Sequence, residues 1–252
     1  MRHIIKAEGL VKTYGSDAGK RRVLDGVSFT LGAGEFVAVM GPSGSGKTTL
    51  LFALSGMDRP DEGRVEFEGR ELGGLGERDL ADLRRTRMGF VFQQPSMLKH
   101  LNVLDNVILA ALRDRRGKAA ELSAKALALM EKAGIAELAA RDVAKVSGGQ
   151  LQRAGICRAL MNDPVVIFGD EPTGALNSAA ADGVLAMLED VHRAGTAVAL
   201  VTHDARVAAR AGRVVFMRDG AVAAEEGLGP FARGELEARV AAVTARMREL
   251  GI

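Results

Sequence analysis

The segment Phe36-Val37-Ala38-Val39-Met40-Gly41-Pro42-Ser43-Gly44-Ser45-Gly46-Lys47-Thr48-Thr49 constrains the fold of this chain more than any other. It opens on five consecutive apolar residues, the pattern of a strand buried on both faces. It continues as G-x-x-x-x-G-K-S/T and closes on Leu50-Leu51-Phe52-Ala53-Leu54, which reads as helix. Strand, glycine loop and helix in this order are the context in which the motif cradles phosphate. The glycines let successive backbone N–H groups turn inward on phosphate oxygens, and the following helix adds its positive end. Lys47 is placed to reach the outer phosphates as a point charge, and the Thr48 hydroxyl to coordinate magnesium. A glycine-rich turn with a chance lysine would lack the flanking strand and helix. Such a loop identifies a superfamily and leaves the reaction open.

The rest of the chain extends the α/β reading. Val165 to Phe168 and Val198 to Val201 are further buried strands, and they alternate with helical patterns, as in a mainly parallel sheet. Ile4 to Val11, Val23 to Leu31 and Arg64 to Glu68 are partly alternating and broken by glycine, which predicts an antiparallel layer beside that sheet. From about Gln94 to Cys157 the pattern turns helical, with apolar residues spaced by three and four over Leu101 to Leu112 and Ala119 to Ala133. This predicts a helical subdomain inserted between the strands of the nucleotide site. In the tail, Phe231, Leu236, Val240, Val243, Met247 and Leu250 fall on one helical face, expected to pack back onto the core.

Composition narrows the function classes. A chain of 252 residues with 47% apolar content can bury a large core. Its net charge is +2 with the signs interspersed, which lacks the basic excess a nucleic-acid binder needs. The run Arg113, Arg115, Arg116, Lys118, broken by Asp114 and Gly117, reads as a solvated loop. Cys157 is the one cysteine, so no intrachain disulfide forms and a reducing compartment fits. Neither a secretion signal nor an apolar run of about 18 residues is present. The expected location is cytoplasmic; any membrane crossing is expected of another chain.

Three further segments carry chemistry. Ser147-Gly148-Gly149-Gln150-Leu151-Gln152-Arg153 is a second helix start suited to an anion, with Ser147 as N-cap and two glycines allowing close approach. Val165-Val166-Ile167-Phe168-Gly169-Asp170-Glu171-Pro172 is a strand ending in adjacent carboxylates, one suited to holding magnesium and the other to acting as general base. Thr202-His203-Asp204 follows the strand Val198 to Val201.

The segment at Ser147 resembles the signature motif of the ABC ATPase family, with Val146 where leucine is commoner. The carboxylate pair resembles the family's Walker B element and His203 its switch histidine. Gln93, after Gly89-Phe90-Val91-Phe92, is similar to the glutamine loop; Gln94 is adjacent, and the Val-Phe-Gln pattern favours Gln93. Tyr14, in Val11-Lys12-Thr13-Tyr14-Gly15, resembles the aromatic that stacks on adenine. The motifs run in family order from Ile4 to about Gly227. After Pro172-Thr173-Gly174 comes Ala175-Leu176-Asn177-Ser178, where the family usually has aspartate in place of Asn177.

The resemblance implies a single ABC ATPase domain with the P-loop NTPase fold. Its nucleotide-binding core is expected over 1–93 and 159–228, the helical subdomain over 94–158 and a C-terminal helix over 229–252. It implies an ATPase using ATP and Mg2+, acting as a homodimer in which Ser147, Gly148, Gly149 and Gln150 of one copy close over ATP held by the other. In that picture Gly41 through Thr49 and Tyr14 bind nucleotide. Thr48, Gln93 and Asp170 serve the metal, and Lys47, Gln93, Glu171 and His203 serve catalysis. Asp-Glu-Pro-Thr-Gly before Leu-Asn-Ser, Phe92 to Leu98 and Leu101 to Val107 are similar to the subgroup of macrolide exporters, lipoprotein-releasing systems and bacitracin-type peptide resistance pumps. That implies a permease partner, a peripheral position on the inner face of the plasma membrane, and export or extraction of a drug, peptide or lipoprotein. An ATPase of cell-division type, signalling through a membrane partner without transport, is the alternative. A soluble ATPase acting on nucleic acid or ribosomes is disfavoured by the near-neutral charge.

Overall fold

The computed structural model describes residues 3–15, 19–113 and 117–252. In chain order the first elements are β1 (His3–Tyr14), β2 (Arg21–Gly32), β3 (Phe36–Met40), α1 (Lys47–Leu54), β4 (Glu62–Phe67) and β5 (Arg70–Glu71). Then come α2 (Glu77–Arg87), β6 (Met88–Phe92), α3 (Val103–Leu112), α4 (Ala119–Lys132), α5 (Gly148–Leu160) and β7 (Val166–Asp170). The last are α6 (Ser178–Arg193), β8 (Ala197–Thr202), α7 (Ala205–Ala208), β9 (Arg213–Arg218), β10 (Ala221–Gly227) and α8 (Leu236–Glu249). Residues 1–80 with 197–252 make one compact unit, and 81–196 a second. Of the basic run expected to be a solvated loop, positions 114–116 lie outside the described residues.

The first unit holds both kinds of sheet that the sequence predicts. β1 pairs antiparallel with β2 and with β4, and β4 pairs antiparallel with β5. In the other sheet β3 lies parallel between β8 and β9, with Ala38 opposite Leu200 on one side and Val214 on the other. All five residues of β3 are buried, as an apolar run covered on both faces must be. β10 closes the edge antiparallel to β9.

The C-terminal helix is shorter than the sequence pattern suggests. α8 begins at Leu236, so Phe231 precedes it and packs instead under the guanidinium groups of Arg210 and Arg239. Val243 and Arg239 are the buried residues of α8. Arg239 donates to the carbonyls of Ala209, Ala211, Leu228, Pro230 and Gly229, satisfying a turn that has no ladder of its own.

In the second unit β6 and β7 pair in parallel, with Phe92 opposite Asp170. Around α3, α4 and α5 a core gathers Val107, Leu122, Ala126, Met130, Ala154 and Met161. α3 starts two residues after the predicted Leu101, because Asn102 is its N-cap and accepts from the N–H of Asp105. The buried Asn106 folds the segment beyond Gln94 against this helix: its Oδ1 accepts from Leu98 N at 2.7 Å and its Nδ2 donates to Leu98 O at 3.1 Å. Among the described residues no helix is long and apolar enough to cross a membrane.

Candidate nucleotide-binding and catalytic residues

In the first unit the phosphate loop occupies residues 41–46, between β3 and α1. A Cβ on Gly41 would lie 2.2 Å from Met217 O and 2.6 Å from Ser45 Oγ, so no side chain fits there. Gly46 is the N-cap of α1 with φ 98°, a conformation open mainly to glycine, and no side chain caps this helix. With glycine as N-cap, no capping side chain stands at the positive end of this helix, the arrangement that lets an anion approach. Ser45 is buried and its Oγ has no hydrogen-bond partner, a cost that a phosphate oxygen in the cradle would relieve. Lys47 is 7% exposed, and its Nζ donates to Gly41 O at 2.8 Å and Pro42 O at 2.9 Å. Its charge thus lies along the loop's inner curve. Pro42, Ser43, Gly44 and Thr48 are exposed and Thr49 half-buried.

Register brings the histidine to the same edge. Met40 pairs with Thr202, so the phosphate loop and His203 leave the C-terminal ends of two adjacent parallel strands, where α/β sheets bind ligands. His203 is exposed. Its neighbour Asp204 caps α7 by accepting from Arg206 N, and Thr202 Oγ1 accepts from Asp204 N, which fixes the backbone on both sides of the imidazole. Tyr14 ends β1 in this unit with 42% of its surface exposed.

The second unit repeats the device. Phe92 pairs with Asp170, so Gln93 and Glu171 step off adjacent parallel strands together. They meet around Gly174, whose added Cβ would stand 3.0 Å from Gln93 Nε2 and 3.1 Å from Glu171 Oε2. This places Gln93, rather than Gln94, against the carboxylate. Glu171 has φ 46°, in the left-handed region that costs a non-glycine residue, and Gly174 N closes the turn onto Glu171 O at 3.0 Å. Such strain at a carboxylate is characteristic of functional positions.

The signature segment opens α5. Ser147 is its N-cap and forms a capping box with Gln150: Ser147 Oγ accepts from Gln150 N, and Gln150 Oε1 accepts from Ser147 N. Gln150, expected at the nucleotide, has this structural task as well. Gly149 lies against the start of α6, where an added Cβ would be 2.8 Å from Ala180 Cβ; Gly148 is looser, 3.8 Å from Leu176. Sequence reasoning passed over Gln152. It is 1% exposed and donates from Nε2 to Phe92 O at 2.7 Å, tying the signature helix to the residue before Gln93. Its position two residues after Gln150 carries no periodic signal that would have marked it. Burial pushes the Cys157 thiol up to about 12, so the one cysteine is no nucleophile.

Comparison with known proteins agrees with these motifs. The family model described as ABC transporter matches residues 24–174. The macrolide export ATP-binding/permease protein MacB 1/2 of Paracoccus denitrificans is 45% identical over 227 residues, covering 90% of this chain and 34% of that protein. The probable syringafactin export ATP-binding/permease protein SyfD of Pseudomonas syringae is 39% identical over 224 residues, 89% of this chain and 34% of its own. The chain therefore spans about a third of the length of these curated relatives. Among solved structures, a post-hydrolysis dimer of the ATP-binding cassette MJ0796 bound to ADP and phosphate superposes with a TM-score of 0.84 at 36% identity. The match covers 90% of this chain and all of that one, 100%.

Proposed function

That this chain belongs to the ABC transporter family is the premise from which we propose that it binds and hydrolyses ATP to drive a membrane permease. The observation that carries the reading is the phosphate loop. A buried hydroxyl without a partner, a glycine that admits no Cβ and a helix start without a side-chain cap converge on one cradle beside a buried lysine.

In the proposed reaction Lys47 and the backbone of 41–49 hold the phosphates and Tyr14 stacks on the base. Glu171 takes the proton of the attacking water, Gln93 orients that water, and His203 contacts the γ-phosphate. Magnesium, when bound to Thr48, Asp170 and Gln93, would offset charge on the phosphate oxygens. No cluster of three or more histidine, cysteine or carboxylate side chains exists among the described residues to hold a metal. That suits an ion ligated chiefly by a hydroxyl, one carboxylate, water and phosphate. Ser147, Gly148, Gly149 and Gln150 complete the site from a second copy, so that ATP is sandwiched in a homodimer.

The helical segment 94–158, between core segments 1–93 and 159–228, passes the motion of closure to a permease at the inner face of the plasma membrane. The relatives named above are exporters by name, which supports export of a drug or peptide over the cell-division reading. The test is Glu171→Gln, which keeps shape and hydrogen bonding. It is expected to bind ATP and form a stable dimer while turnover drops about 100-fold or more. Membranes carrying this variant, extracted with ATP and magnesium, are expected to yield an integral membrane partner. Normal turnover sinks the general-base assignment; a dimer without any membrane partner sinks the transport reading.

A further inference from the structure

The aromatic platform at Tyr14 is built into a network that nothing in its sequence context announces. Tyr14 Oη donates to Asp58 Oδ2 at 2.5 Å, across a sequence separation of 44 residues. Lys12 Nζ donates to Asp58 Oδ1 at 2.6 Å and to Arg59 O at 2.6 Å, and lies 5.4 Å from the centroid of the Tyr14 ring. The Thr49 side chain acts on the phenol in the opposite sense to Asp58, drawing its ionisation down. One turn further on, Asp61 accepts from Thr13 N at 2.7 Å, and its own N–H donates to Val11 O at 2.8 Å. The end of β1 is therefore stapled on successive residues to segment 58–61.

That segment is continuous with the phosphate-binding helix. The N–H groups of Met57 and Asp58 both bond to Phe52 O, in the last turn of α1. Lys47 begins this helix, Thr49 lies in its first turn and Asp58 hangs from its far end. The aromatic ring is thus tied, through Asp58, to the segment bonded onto the last turn of the helix that follows the phosphate loop. A nucleotide gripped at both base and phosphates needs those two grips at constant spacing, and preorganising them lowers the ordering cost of binding. The electrostatics match: burial alone would raise the Asp58 carboxyl, but the bonds from Lys12 and then Tyr14 outweigh it and hold the group below its ordinary range. It stays ionised and keeps both donors.

We propose that Asp58, anchored by Lys12, is a positioning residue that locks Tyr14 onto α1 and thereby sets the affinity for the adenine nucleotide. The inference rests on the reading of Tyr14 as the base platform. It deepens that reading by naming what orients the ring.

The chain supplies its own probe, since Tyr14 is the one tyrosine and there is no tryptophan. Absorbance at long ultraviolet wavelength against pH therefore titrates this phenol alone. In the wild-type chain burial, and next the Asp58 bond, raise it above the ordinary value of about 10. Asp58→Ala is expected to bring it back toward that value. It is also expected to weaken ADP binding by calorimetry, and raise KM for ATP, by about three- to tenfold while kcat at saturation changes less than about twofold. Tyr14→Phe, which keeps the ring and loses only the tether, is expected to match it. The double variant should be no weaker than either single one, because both remove the same bond. An unmoved phenol titration in Asp58→Ala overturns the proposal. So does Tyr14→Phe binding ADP like wild type while Tyr14→Ala loses affinity, which leaves the platform standing without a role for the tether. If Tyr14→Ala itself binds like wild type, the platform reading falls and the proposal with it.

Discussion

Gln93 and Glu171 flank a single α-carbon, that of Gly174, each within about 3 Å of where its missing methyl group would be. The turn that follows β7 thereby sets the spacing between this amide and this carboxylate, which in the proposed reaction orient and deprotonate the attacking water. Gly174→Ala tests this with one methyl group. Both crowded atoms are the far ends of side chains, so the fold can absorb the change, and stability should hold within about 0.5 kcal/mol. The amide and carboxylate must still shift by some tenths of an ångström. Turnover is expected to fall about 10- to 100-fold with ADP affinity unchanged. Phosphate release at saturating ATP checks it; wild-type turnover would mean that the spacing is not critical.

Asn177 departs from the family's usual aspartate, and the structure shows what it still does. It is the N-cap of α6, with Oδ1 accepting from Ala180 N at 2.9 Å. Asn177→Asp keeps that acceptor and adds a negative charge at the positive end of a helix, expected to stabilise by about 0.3–1 kcal/mol. The melting temperature should rise by about 1–4 °C. Asn177→Ala, which removes the cap, should cost about 1 kcal/mol and lower it. Thermal unfolding of the pair separates the charge from the cap, and a fall in Asn177→Asp would show that uncharged asparagine is preferred there.

Motifs whose chemistry is local were legible in the sequence, and contacts made over long separations were not. The strand and loop at Phe36 to Lys47 could be read because burial on both faces leaves an uninterrupted apolar run and phosphate binding demands glycines at fixed spacing. Ser147 was legible as a cap because capping is a matter of neighbouring residues. Asp58 and Gln152 could not be found that way. Each reaches a partner more than 40 residues distant, 44 for Asp58 and 60 for Gln152, and an aspartate or glutamine looks the same in sequence whether or not it does so. Phe231 was assigned to the last helix because apolar spacing continues through it; the helix starts at Leu236, and the ring is held instead by two arginines.

One of those arginines should be among the more costly residues to remove. Arg239 is 6% exposed and donates to five backbone carbonyls from 209 to 230. Arg239→Met keeps much of the volume and leaves those acceptors without a donor. The expected loss is about 3 kcal/mol, or about 6–12 °C in melting temperature. Arg239→Lys should recover less than half of this, since a point donor cannot span acceptors that a planar fork reaches together. Equal melting temperatures for the wild type and Arg239→Met would mean that the turn is satisfied by water.

Acid stability should depend on Glu35. Its carboxylate receives Arg213 Nε at 2.8 Å and Nη2 at 3.3 Å, together with Gly32 N at 2.8 Å, and joins the turn before β3 to the start of β9. Half-burial would by itself raise the carboxyl; the Arg213 bonds and then the Gly32 N–H outweigh it, and the group sits below its ordinary range. A carboxyl depressed in the folded state contributes stability above its unfolded value of about 4.3 and loses it as pH falls through the lower folded value. Glu35→Gln keeps the shape but has no charge to lose. The variant should therefore be less stable than wild type at pH 7, and the gap should narrow by more than about half between pH 6 and pH 3. Thermal unfolding of both proteins across that range checks the sign. A gap that stays constant would show that the pair holds the turn through geometry and not through charge.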